Sequence, residues 1–184
     1  MLRVVIPAKE QYDEVQNLFF KTKECTLQLE HSLIALSKWE SKWKKPFLDQ
    51  GQKSVEEILD YIKCMTITPN VDPNIYKILP VSVLEQIEHY IDDTMTATTF
   101  YETKTGARST NKITSELIYY WMVAFNIPFE CQKWHLNRLL TLIRICSIEQ
   151  ERATQPKKNR SRADILNRNR MLNEQRRRAM NSKG

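Results

Sequence analysis

Three histidines, four cysteines and one acidic pair are the residues of this chain best equipped for chemistry. His31, His89 and His135 are far apart in sequence, and none falls in the short His/Cys spacing that a zinc site uses. Their placement predicts no shared site, so each is expected to be a structural or surface histidine. Asp92-Asp93, with Glu88 four residues before Asp92, offers oxygen ligands to a cation. No regularly spaced ligands follow, and a solvated acidic surface is the expectation. Glu130, Lys133, His135 and Arg138 gather around the start of one apolar segment. They supply no nucleophile with its base, and Glu130 suits the N-terminal end of a helix there. No catalytic residue, metal ligand or cofactor is expected.

Two further chemistries are disfavoured by residue type. Only Gly51, Gly106 and Gly184 are glycine, so no glycine-rich phosphate loop can be written. Cys25, Cys64, Cys131 and Cys146 form no CxxC pair, and the opening MLRVVIP is too short for a signal peptide. Reduced thiols in apolar surroundings, in a soluble cytosolic protein, are the expectation. The apolar stretch 139–148 contains Arg144 and is far shorter than a membrane span.

Charge is the strongest remaining signal. Residues 150–184 hold eleven basic and three acidic residues, a net of +8. The first 149 residues hold 17 basic and 19 acidic residues, a net of −2. The basic character of the whole chain therefore belongs to its C-terminal part. Lys44 and Lys45, just after Glu40, are the only comparable pair in the body that invites a phosphate reading. Alternating charges on a helix surface explain them equally well. Trp39, Trp43, Trp121 and Trp134 are expected in the core, and an exposed one would be the first candidate for a partner contact.

The elements that must position these residues follow from periodicity. Leu2–Ile6 reads as a strand closed by Pro7, and 25–30 alternates strictly as a second strand. The two are expected to pair in a hairpin or small sheet, with 8–23 a short helix or an irregular bridge. Ser32 caps a helix running to about Lys45, with Leu33, Leu36, Trp39 and Trp43 on one face. Ser54 with Glu57 is a capping box ahead of Val55, Ile58, Leu59, Ile62 and Met65. Residues 69–80 read as turn-rich, and Ser82 with Glu85 repeats the box ahead of Leu84, Ile87 and Ile91. The threonine-rich segment 94–111 reads as an exposed hairpin or long loop, with Phe100 and Tyr101 anchoring its first half. Thr114 or Ser115 starts a helix carrying Leu117, Ile118, Trp121, Met122 and Phe125. A turn with Pro128 separates it from a helix over 131–148. This last pair is expected to supply most of the core.

The fold class predicted is α+β and mainly helical. A small N-terminal β-hairpin or sheet packs with a bundle of about five helices, and a basic helical arm follows. The compact domain is expected over 1–150, a flexible basic linker over 151–162 and a basic amphipathic helix over 163–184. The linker carries Pro156, Lys157, Lys158, Arg160 and Arg162 and no large apolar side chain. In the arm, Ser161 with Asp164 resembles a capping box, and Ile165, Leu166, Leu172 and Ala179 make a thin apolar stripe. Such a helix buries too little surface to be robust alone, so it is expected to order on a partner or on the body. Its guanidiniums suit an acidic protein groove or, less well, a nucleic-acid backbone. No membrane role is expected, because the apolar face lacks aromatic residues.

Several strings are distinctive together: LQLEHSL at 27–33, SKWESKW at 37–43, KPFL at 45–48, DYIKCM at 60–65 and MTATTF at 95–100. ITSELIYYWM at 113–122, IPFECQKWHLNRLLTLIRI at 127–145 and the asparagine- and arginine-rich 169–178 complete the set. Through them the chain resembles, over nearly its whole length, a family of small proteins from the structural gene region of long-tailed bacteriophages (siphoviruses). That family is described as tail assembly chaperones. The resemblance implies a stoichiometric, non-enzymatic holder of the tape-measure protein, acting in the host cytoplasm during virion morphogenesis. It implies no catalytic residues. The contact candidates are Trp39, Trp43, Arg168, Arg170, Arg176, Arg177 and Arg178, toward a tail protein or a second copy of the chain. The alternatives are a virion subunit of the neck, tail completion or baseplate, and a nucleic-acid-binding protein using the arm.

Overall fold

A computed structural model describes residues 1–13, 18–49, 51–100, 112–154 and 162–180. The chain divides into two units, Met1–Ser147 and Ile148–Gly184.

The first unit opens with four strands, β1 (Leu2–Ile6), β2 (Lys9–Asp13), β3 (Leu18–Thr22) and β4 (Cys25–Leu29). β1 pairs antiparallel with β4 from Leu2↔Leu29 to Ile6↔Cys25. β2 pairs with β3 in the same way, from Lys9↔Thr22 to Asp13↔Leu18. Both registers are centred on the same point of the sequence, so the inner hairpin prolongs the outer ladder across Pro7 and Ala8. The short helix or irregular bridge expected over 8–23 is thus corrected to two strands. A pairing already fixed by β1 and β4 brings 9–13 opposite 18–22, and that alignment outweighs the weak local pattern. On β1 and β4 alternate residues turn inward: Val4, Ile6, Leu27 and Leu29 are buried while Val5 is exposed.

Six α-helices follow: α1 (Leu33–Trp43), α2 (Val55–Met65), α3 (Val81–Asp92), α4 (Ser115–Ala124), α5 (Leu136–Thr154) and α6 (Arg162–Ala179). Three expected caps are present. Ser32 accepts from the Ala35 N–H, Thr114 accepts from the Leu117 N–H, and Ser54 and Glu57 form the full capping box. α1 ends at Lys44 in the left-handed region, φ 55°, two residues before Pro46.

Three expected boundaries are corrected. α3 starts two residues early, with Pro80 at its N-cap and no side-chain cap bond, so Ser82 and Glu85 form no capping box. A proline fixes φ and lacks the N–H that a helix start leaves unpaired, so it begins the helix without a hydroxyl. The single helix expected over 131–148 is a 3-10 turn, Phe129–Lys133, followed by α5. Trp134 is extended between them, and His135 makes an isolated antiparallel bridge to Ser32. Glu130 therefore serves the turn and not α5. The turn-rich 69–80 contains a 3-10 helix, Pro73–Ile78, capped by Asp72. Residues 101–111, most of the expected hairpin or loop over 94–111, lie outside the described residues, as does the segment 155–161 within the expected linker.

The core of the first unit has two clusters that share α1. Ala35 and Trp39 join β1, β4, α2, α3 and the first 3-10 helix through Leu27, Leu29, Tyr61, Ile62, Tyr76 and Ile87. Leu33 and Leu36 join α4 and α5 through Ile118, Met122, Leu136 and Leu139. The α4–α5 pair, expected to supply most of the core, builds only the second of these. The fold is a small antiparallel two-stranded region packed with a bundle of helices, an α+β, mainly helical arrangement.

Candidate functional site

The seven residues singled out as contact candidates separate into two environments. Trp39 is only 1 % exposed. Its Nε1–H donates to the Glu57 carbonyl at 2.8 Å, and its ring meets Phe47 edge-on at 5.0 Å. It is a core residue, as expected of the tryptophans, so its place among the contact candidates is corrected: α2 and Phe47 cover it. Trp43 stacks on Trp39 at 6.1 Å and is half-buried, with its Nε1–H donating to Asp60 Oδ2 at 3.0 Å. Both indoles have spent their donors inside the fold.

The cations beside them are engaged too. Lys45 reaches Glu57 at 2.7 Å, and Lys42 pairs with Asp60. The Lys45 ammonium and the Ser54 backbone N–H hold the Glu57 carboxyl below its ordinary pKa. Burial pushes Asp60 upward, but hydrogen bonds from Lys42 and Trp43 outweigh it and the net direction is down. Lys44 and Lys45 therefore do not form a free phosphate patch, since Lys45 is committed to Glu57.

Arg168, Arg170, Arg176 and Arg177 are all exposed on α6. The side chain of Arg178 lies outside the described residues. Every side chain described over 166–177 is exposed, together with Met180. The exposed set includes the apolar Leu166, Met171, Leu172 and Met180. At about 100° per residue, Leu166, Leu172 and Met180, the last one residue beyond α6, fall on one face of some 120° that also carries Asn169, Asn173 and Arg176. Arg168 flanks that face on one side and Arg170 and Arg177 on the other, while Met171 points away. Of these apolar positions, Met171 and Met180 are not in the stripe of Ile165, Leu166, Leu172 and Ala179 expected from the sequence.

Two of the histidines are structural, as expected of each, but they meet, which their spacing does not suggest. His31 and His135, 104 positions apart by their numbering, lie with ring centroids 5.0 Å from each other. His31 Nδ1 is 2.7 Å from the Tyr61 hydroxyl, and His135 Nε2 is 2.9 Å from the Tyr90 carbonyl. Tyr90 in turn donates to Glu30 at 2.5 Å. Burial, and secondarily His135, pushes the His31 pKa down to about 3. The pair joins the two core clusters and is structural in its surroundings. No local spacing signals it, because it is made by the bridge between Ser32 and His135.

Asp92 and Asp93 stand exposed at the end of α3. Asp93 Oδ1 accepts from the Met95 N–H at 2.9 Å, and Asn137 donates to the carbonyls of Ile91 and Asp93. Among the described residues, no group of three or more His, Cys, Asp or Glu is gathered as a metal would need. No helix of the described residues is long and apolar enough to cross a membrane. Comparison with protein-family models, with curated proteins and with solved structures finds no match.

Proposed function

We propose that this chain is a non-catalytic assembly factor of a long-tailed bacteriophage, a stoichiometric holder that keeps the tape-measure protein soluble in the host cytoplasm while tail subunits assemble around it. The phage assignment is supported by the sequence strings given above. The holding role is supported by one observation: α6 is a basic helix with scattered apolar side chains, Leu166, Met171 and Leu172, and its described side chains are all exposed. A helix of that kind gains order and stability by laying some of those side chains on another surface, with its arginines steering it to acidic ground.

A tagged pull-down from infected cells, with peptide identification, tests the reading. The full chain is expected to recover the tape-measure protein, and a chain lacking residues 162–184 is expected to lose it. Purified virions are expected to lack the chain by mass spectrometry. Tails assembling at the normal rate with the truncated chain would overturn α6 as the grip, and stoichiometric presence in virions would overturn the transient role. A band shift with nucleic acid that weakens steeply with salt would mark the arm as a backbone binder instead.

A further inference from the structure

The antiparallel ladder has a packed half and a projecting half. β1 and β4 bury Val4, Ile6, Leu27 and Leu29 against the helices. The outer edge of β4 is closed by the bridge Leu29↔Thr66 and by the Ile67 N–H, which donates to the Gln28 carbonyl at 2.8 Å. β2 and β3 continue the ladder beyond Pro7 and Ala8, and among the described residues their main contact is with each other. No third strand among the described residues joins them. A two-stranded ribbon is marginal in water, and its unpaired edges are rows of N–H and C=O groups that a further strand completes.

The order of residues along β2 selects the strand that fits its edge. β2 reads KEQYD, and Glu10 is paired across the hairpin with Lys21 at 2.6 Å. Lys9 and Asp13, the first and last residues of the strand, are of opposite sign. Charge on an edge repels most strands laid beside it, but an inverted copy of β2 is matched to it. Paired antiparallel about Gln11, β2 sets Lys9 of each copy at the position opposite Asp13 of the other. Glu10 then falls opposite Tyr12, and no like charges meet. The two outward-pointing sets of backbone groups also face each other, because every residue falls opposite one of the same parity. Centred on Glu10, the register sets that acid against itself. Centred on Tyr12, it runs past the end of β2. β3 reads LFFKT, and centred on Phe20 it opposes Phe19 to Lys21 and Leu18 to Thr22, with no match of charge.

We propose that the free edge of β2 pairs with β2 of a second copy of this chain, joining the two hairpins into one four-stranded antiparallel sheet about a two-fold axis at Gln11. Such a contact is closed, since each copy presents the same strand to the other. Both strands belong to the first unit, Met1–Ser147. The contact goes beyond the client-holding reading and stands without it, since no client takes part.

The test uses full chains throughout, with Lys9→Glu and Asp13→Lys made singly and together. Lys9 is exposed and Asp13 ends its strand, so far-ultraviolet circular dichroism is expected to match the native chain. Sedimentation across a wide concentration range is expected to show self-association of the native chain. Each single variant is expected to associate about tenfold more weakly, because two cross-strand pairs of opposite sign become two of like sign. The double variant is expected to associate as the native chain does. An equimolar mixture of the two single variants is expected to do the same, since both restore the two opposite-sign pairs. A loss caused by misfolding of a single variant would not be recovered in the mixture. A native chain that stays monomeric at every concentration would overturn the proposal. So would single variants that associate as the native chain does, or a double variant and a mixture that stay as weak as the single ones.

Discussion

At the scale of single residues, His31 is the side chain whose environment makes the sharpest demand. It is 2 % exposed, and burial lowers its pKa from the ordinary 6.5 to about 3. In the folded chain it is therefore neutral at any pH near neutrality. The folded pKa lies below the unfolded one, so between the two values the unfolded chain binds the extra proton. The contribution of His31 to stability is complete above about pH 6.5 and is lost as the pH falls toward 3, at up to about 1.4 kcal/mol per pH unit. Glu57 and Asp60, whose folded pKa values are lowered, lose their contributions only below the ordinary carboxylate range. The interval from pH 6.5 to 5 thus isolates the histidine. His31→Asn keeps an acceptor for Tyr61 but cannot take up that proton. Urea denaturation at several pH values should show the native chain weakening across this interval and the variant weakening less. Parallel curves for the two chains would show that His31 is not held neutral by the fold.

At the scale of elements, one carboxylate joins three pieces of the body. Glu40, near the end of α1, is 7 % exposed. Its Oε1 accepts from the Phe47 N–H at 2.8 Å and its Oε2 from the Ser115 N–H at 2.7 Å. It thereby fixes the chain after Pro46 and supplies negative charge to the N-terminus of α4. Glu40→Ala leaves two N–H groups without their acceptor and should cost about 2–5 kcal/mol of unfolding free energy. Glu40→Gln keeps one acceptor and should cost roughly half as much. Equilibrium unfolding of both variants checks this, and an alanine chain as stable as the native one would refute the role. The sequence marks Glu40 only as a neighbour of Lys44 and Lys45, since its partners lie 7 and 75 residues away. The same division runs through the fold. Helices α1, α2 and α4 are legible from Ser32, Ser54 with Glu57, and Thr114, because a cap is a contact across three residues. The β2–β3 hairpin is not, because its register is inherited from β1 and β4. In the candidate site the arginines of α6 are legible as a charge run and Trp39 as a core residue, whereas the partners of the Trp39 and Trp43 N–H groups on α2 are not.

At the scale of the whole molecule, the division of charge predicts how stability responds to concentration. The side chains described over 166–177 are exposed, so they add little apolar burial of their own. Docked on a second copy, one of the two surfaces expected for the arm, the same helix would stabilise by mass action, because binding to the folded state alone pulls the equilibrium toward it. The comparison is between the full chain and one ending at Thr154, where α5 ends. In dilute solution the two should unfold within about 0.5 kcal/mol of each other. At a concentration about 100-fold above the dissociation constant of that contact, the full chain should gain about 2.7 kcal/mol over the shorter one. Chemical denaturation followed over a series of protein concentrations measures both curves directly. A difference already present in the most dilute samples, and flat thereafter, would mean that α6 stabilises its own chain and exchanges with no second copy. Two curves that coincide at every concentration would mean that α6 docks on no copy of this chain.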